Sequence, residues 1–195
     1  DGLFHMVWTS GWSDKGIGYA NSSNLVDWSE QRYLPLMDKT PGTKTCWAPE
    51  VSHAAPSGQY LIVWSSNIER LGVTPPKGGF HRAYYVLTRD FKTFTEPTLL
   101  FDPGFNNIDT TMLQVNGKYI IVCKETDDQP AGVWGAIRGA MADKPLGPYT
   151  LLPEPLIQNE RVEGPALVQV GGQTLLYVDY YVNHRYGARA TDDWK

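Results

Sequence analysis

The sequence holds only two cysteines, Cys46 and Cys123, far apart in the chain. That excludes a disulfide-stapled scaffold, and the expectation is two buried free thiols. No apolar run approaches the length of a membrane-spanning helix, so no membrane partner is expected. Basic residues are few and scattered, 17 Lys and Arg against 21 Asp and Glu for a net charge of −4. A nucleic-acid partner would want a clustered basic face, so none is expected, and a neutral ligand suits the balance better. No stretch shows the 3.6-residue periodicity of an amphipathic helix. No metal-ligand spacing of His, Cys, Asp or Glu is present either. What the 195 residues do have is 42% hydrophobic content, enough for one packed domain and too much for disorder. They also include seven Trp and eleven Tyr. Aromatics fill cores, but they also line clefts in which the apolar face of a sugar ring stacks.

Four similar units follow one another. In each, a short segment enters, then come a Gly turn, an apolar strand, a loop, and a strand that ends in a Ser/Thr/Asp-rich turn and an aromatic. The turn glycines are Gly2, Gly58, Gly117 and Gly172, at spacings of 56, 59 and 55 residues. A near-constant period of that size, built from strands alone, predicts the blades of a β-propeller rather than a sandwich of unrelated hairpins. The pattern predicts strands at 3–9, 17–21 and 30–35, then 60–65 and 81–86, then 119–124 and 135–141, and finally 175–179 and 186–190. Trp28, Phe94, Tyr149 and Trp194 are the closing aromatics. The first unit begins after the place of its first strand and the last stops before its outer strand, which predicts a single propeller domain over residues 1–195, cut at both ends.

In a propeller the first strand of each blade lines a central channel, and the starts of those strands converge at one mouth. Ala48, Asp109 and Glu163 occupy that place in units two to four, to within one position. Two carboxylates from neighbouring blades form a candidate acid/base set. Each opens an apolar strand, Ile108-Asp109 and Val162-Glu163, where a charge has no packing reason to be. Period two places Glu50 on the face of Ala48, deeper in the channel, as a structural or substrate contact. The loops at this mouth offer Trp8, Trp12, Trp64, Trp134, Tyr180, Tyr181, His184 and Arg185. Any one Trp is more simply explained as core. Trp12, flanked by Gly11 and Ser13, is the best stacking platform.

Trp47-Ala48-Pro49-Glu50-Val51, Ile108-Asp109 and Val162-Glu163-Gly164-Pro165, in that order, resemble glycoside hydrolase family 43, the five-bladed propeller enzymes. The resemblance covers essentially the whole chain. It implies an all-β, five-bladed propeller of which about four blades are represented here, and a carbohydrate substrate. It also implies an inverting hydrolase acting on terminal arabinofuranosyl or xylosyl groups, or in some members galactosyl groups. Carried over residue by residue, Glu163 is the expected general acid, and Asp109 the aspartate that orients it and raises its pKa. The expected substrate contacts are Trp12, Trp47, Glu50, His184 and Arg185. Arg185 would bind a sugar hydroxyl or hold Asp109 ionised, and His184 would line the channel, where some relatives hold a calcium ion. No cofactor is otherwise expected. The family's third carboxylate, the base, would lie about six to eight residues before Asp1 by the repeat offsets. Five blades at this period need about 285 residues. Secretion or a periplasmic location is implied by resemblance alone. A carbohydrate-binding propeller that has lost catalysis is the alternative. Sialidases would need an Arg cluster and Gly-bearing Asp boxes, and fructosidases a Glu-Cys acid motif where Glu163 is followed by Gly164. A protein-interaction propeller would have no need of paired channel carboxylates.

Overall fold

The computed structural model describes residues 2–54, 57–70, 72–74, 79–126 and 135–191. Among them are fourteen strands and no helix. They form four antiparallel sheets. The first holds β1 (Phe4–Thr9), β2 (Ile17–Ser22) and β3 (Arg32–Leu34). The second holds β4 (Trp47–Ala54), β5 (Gln59–Asn67), β6 (His81–Thr88) and β7 (Thr98–Phe101). The third holds β8 (Asn107–Val115), β9 (Lys118–Glu125), β10 (Ile137–Ala142) and β11 (Thr150–Leu151). The fourth holds β12 (Glu163–Val170), β13 (Gln173–Tyr180) and β14 (Arg185–Thr191). Each sheet is a meander of successive strands, and β4, β8 and β12 run side by side as the innermost strands. β1 to β3 match the second to fourth strands of a full blade, and β12 to β14 the first to third. These are four blades of a five-bladed propeller.

The repeat is legible in the backbone. All four turn glycines hold φ between +65° and +87°, the left-handed region that a tight hairpin demands and a side chain resists. Three of them would meet nothing within 4 Å if given a Cβ, so conformation and not space requires glycine there. Blades one and two close with the same side-chain-locked turn. Ser22 Oγ accepts the N–H of Asn24 and Leu25, and Thr88 Oγ1 accepts those of Asp90 and Phe91. Asn24 Oδ1 and Asp90 Oδ1 then cap the next two N–H groups.

Packing lies between blades. The run Leu61-Ile62-Val63-Trp64 of β5 sends Ile62 and Trp64 into a core shared with β2 and β3, and Leu61 and Val63 into one shared with β9. In β9, Ile121 and Cys123 join that second core while Ile120 and Val122 join a third, with Leu176 and Val178 of β13. A strand buried on both faces has no polar side to alternate with, which is why these runs are continuously apolar. Cys46 and Cys123 are buried free thiols. Trp64, offered among the aromatics at the channel mouth, is fully buried in β5. Trp8 lies in β1, and its indole covers Gly18, where a Cβ would fall 2.0 Å from the ring. Trp134 and Trp194 lie outside the described residues.

Candidate functional site

The three innermost strands open with the same irregularity. Ladder pairing breaks between Trp47 and Glu50, between Ile108 and Thr111, and between Glu163 and Ala166. The second residue of each break is left-handed: Ala48 at φ 45°, Asp109 at 54° and Gly164 at 55°. Such a bulge bends the strand and re-aims side chains, and the two non-glycine residues store backbone strain at the channel mouth. The alignment fixes the register within the one position expected. Asp109 corresponds to Ala48 and Gly164, whereas Glu163 corresponds to Trp47 and Ile108. The two acids thus come from successive positions of the repeat and not from one. Glu50 also reaches the cavity of Ala48 through the bulge and not by plain alternation.

The bulges are tied to their neighbours across the blades. Asp109 Oδ2 accepts the N–H of Gly164 at 3.0 Å. Glu50 Oε2 accepts the N–H of Met112 at 3.3 Å, and Thr111 Oγ1, its equivalent one blade on, accepts that of Leu167 at 3.3 Å. Thr9 at the end of β1 caps the Ala48 N–H at 2.9 Å.

Asp109 and Glu163 sit in the wall common to two adjoining cavities of about 300 and 440 Å³. The smaller also holds Glu50 and Asp179, and the larger holds Trp12 and Trp47. Trp12 is 81% exposed. Its ring stands edge-on to that of Trp47, with centroids 5.5 Å apart, while Trp47 Nε1 donates to the Trp12 carbonyl at 2.9 Å. Behind Trp47, the buried His81 ring lies 4.9 Å away. Burial, then Arg82, push its pKa down to about 4, so the imidazole is neutral.

Burial is the largest influence on Asp109, Glu163 and Glu50. It raises Asp109, while the Gly164 N–H and Lys124 oppose it. It raises Glu163, helped by Asp109 and Asp179 and opposed by Lys124. It pushes Glu50 up to about 7, against hydrogen bonds from Thr111 and Met112. The site therefore pairs two carboxyls that burial biases toward keeping their protons, one of them, Asp109, fixed against the adjacent peptide. That is the equipment for delivering a proton to a leaving oxygen in a cleft walled by aromatics.

Two expected contacts lie elsewhere. Arg185 is the exposed first residue of β14, its guanidinium 4.9 Å over the Tyr180 ring. The cation acting on Asp109 is Lys124. His184 is exposed in the β13–β14 turn with φ 50° and lines neither cavity. Among the described residues no three His, Cys, Asp or Glu gather as a metal site. Tyr180 donates its hydroxyl to Glu160 at 2.8 Å. Sequence reasoning missed Lys124, Asp179 and His81. A lysine closing the apolar run Ile120-Ile121-Val122-Cys123 was the available signal for the first, and Asp179 was visible only through its pairing with Glu163.

Residues 6–195 match the model of a family described as "Probable glycosyl hydrolase domain". An alpha-L-arabinofuranosidase of Bifidobacterium longum subsp. longum is 26% identical over 143 residues, 65% of this chain and 13% of that protein. Among solved structures, a thermostable family-43 glycoside hydrolase superposes with a TM-score of 0.75 at 18% identity, over 99% of this chain and 66% of its own. A family-43 enzyme of Xanthomonas citri, solved with xylotriose, gives 0.71 at 14% identity, over 99% and 67%. An alpha-L-arabinofuranosidase from Lactobacillus brevis gives 0.65 at 20% identity, over 91% and 59%. The chain thus spans 59–67% of these three solved structures and 13% of the curated relative.

Proposed function

Because the chain belongs to the family-43-related group of probable glycosyl hydrolase domains, we propose that it forms the active-site wall of an inverting glycosidase. The substrates are terminal arabinofuranosyl or xylosyl groups, with galactosyl groups less favoured. The observation that carries this reading is the bond from the Gly164 N–H to Asp109 Oδ2, which fixes the peptide next to Glu163 inside an aromatic-walled cleft. In the reaction Glu163 gives its proton to the glycosidic oxygen as the bond from that oxygen to the sugar breaks. Water attacks the anomeric carbon from the opposite face, and a general base takes the water's proton. Asp109 orients Glu163 through the Gly164 peptide, and as an anion it disfavours loss of the Glu163 proton. Trp12 and Trp47 supply faces and edges for the sugar, whose C–H surfaces pack on them.

Glu163→Gln in the full protein tests the assignment. It preserves shape and removes the proton. On a natural glycoside, whose leaving group is poor, the loss should be about 10²–10⁴-fold. An activated aryl glycoside needs little protonation and should lose much less. Equal losses on both would remove Glu163 from the role of acid. A wild-type protein that binds arabino- or xylo-oligosaccharides without turning them over would restore the binding-propeller reading.

A further inference from the structure

Lys124 is a buried lysine at the end of β9, 7% exposed. Its backbone pairs with Ile108, the residue before Asp109. Its Nζ donates to the carbonyl of Val162, the residue before Glu163, at 2.5 Å, and reaches the Gly135 carbonyl at 3.4 Å. The peptides on both sides of Glu163 are therefore held by one blade. Lys124 grips the carbonyl that precedes it and Asp109 grips the N–H that follows it. A buried ammonium is expensive and persists only where carboxylates face it. Those that face it are Glu163 from β12, Asp109 from β8 and Glu125 from β9 itself. The nearby charges on the remaining elements are Asp179 of β13, which acts on Glu163, and Arg138 of β10, 3.8 Å from Glu125. Glu50 of β4 shares the cavity.

We propose that Lys124 is the positioning residue of the acid. It clamps the Val162–Glu163 peptide from the blade that carries Asp109, and its positive charge holds Glu163 ready to release its proton. The proposal rests on the reading of Glu163 as general acid. The ammonium offsets part of the like-charge effect on the acid: its pull on Glu163 is opposite in sign to those of Asp109 and Asp179. An apolar residue here would leave Asp109 without its counter-charge and Val162 without its donor.

The test is the pH profile of kcat/KM for Lys124→Gln and Lys124→Met, with a natural-type glycoside as substrate. Activity falls on the basic side as the general acid loses its proton. Lys124 lowers the pKa of Glu163, so removing the charge should move the basic limb to higher pH, by about one unit. The value of kcat should drop at least about tenfold with KM little changed. Lys124→Gln keeps a donor for the Val162 carbonyl and loses only the charge, so its limb should move as far while its kcat falls less. A folded Lys124→Gln protein whose limb stays in place overturns the proposal. Should the Met variant not fold, the Gln variant decides. Infrared titration of the protonated carboxyl band, with Glu163→Gln as the blank, reads the same shift without turnover. The two readings fail separately. If Glu163→Gln keeps activity on the natural glycoside, the acid assignment falls. If Glu163→Gln behaves as an acid knockout and the Lys124 limbs do not move, only the role of Lys124 falls.

Discussion

At the scale of single residues, the site works by placing one carboxylate where it does two things at once. Asp109 sits in a left-handed conformation that costs about 1–2 kcal/mol for a residue with a side chain, and that conformation turns its carboxylate toward the next blade. There it holds the Gly164 peptide and faces Glu163 as a like charge. The two roles are separable, because asparagine keeps an acceptor for the Gly164 N–H and loses the charge. Asp109→Asn should therefore leave the fold in place and lower the pKa of Glu163. The basic limb of the kcat/KM profile should then move to lower pH, opposite to the Lys124 variants. Because burial outweighs Asp109 among the influences on Glu163, the limb should retreat only part of the way toward an ordinary glutamate. A limb that stays put, or moves upward, would show that Asp109 does not act on the acid through its charge.

At the scale of elements, the bulge at the head of each innermost strand is the unit that builds the site, and it was the part hidden from sequence. The glycine period, the strand runs and the locked turns were legible, because each rests on a local rule of backbone or burial. The order of acids in the channel was legible only to within one position. Period two assumes an unbroken ladder, and an extra residue between Ile108 and Thr111 or between Glu163 and Ala166 leaves no mark in hydrophobic alternation. Lys124 escaped for the converse reason: it ends an apolar run, and such a lysine ordinarily reads as the solvated edge of a strand. The bulges also set a pH dependence at the β4–β8 seam. Glu50 bonds the Met112 N–H there, and its pKa is raised from 4.5 to about 7. The folded state then binds more protons than the unfolded state between those values, so this group's contribution to stability is full below about pH 4.5 and is lost as pH rises through about 7. Glu50→Gln removes the titration. Denaturant midpoints of the wild type should fall relative to those of the variant across that window, and parallel curves would show that Glu50 does not titrate there.

At the scale of the whole molecule, stability resides between blades and not within them. Among the described residues no sheet has a private core. Blade two contributes Ile62, Trp64, Val86 and Phe91 to the core it shares with blade one, and Leu61, Val63, Ala83, Leu100 and Phe101 to the one it shares with blade three. Each Val, Leu, Ile and Phe among them, fully buried, is worth about 1.5–3 kcal/mol, so releasing blade two would forfeit two cores together. The two cysteines report on this directly. Cys46 lies in the core between blades one and two, and Cys123 in the core between blades two and three. Burial pushes both thiols up to about 12, so neither offers reagent a surface or a thiolate near neutral pH. Ellman's reagent should find no thiol in the native protein and two after unfolding. Between these limits, Cys46→Ser and Cys123→Ser leave one reporter each. If the shared sheet couples the cores, the two single-thiol proteins, each referred to its own global stability, should become reactive over the same range of denaturant as secondary structure is lost. A thiol that reacts well before the other, with most of the sheet signal intact, would mean that the blades separate one at a time and that blade two does not bind its neighbours into one cooperative unit.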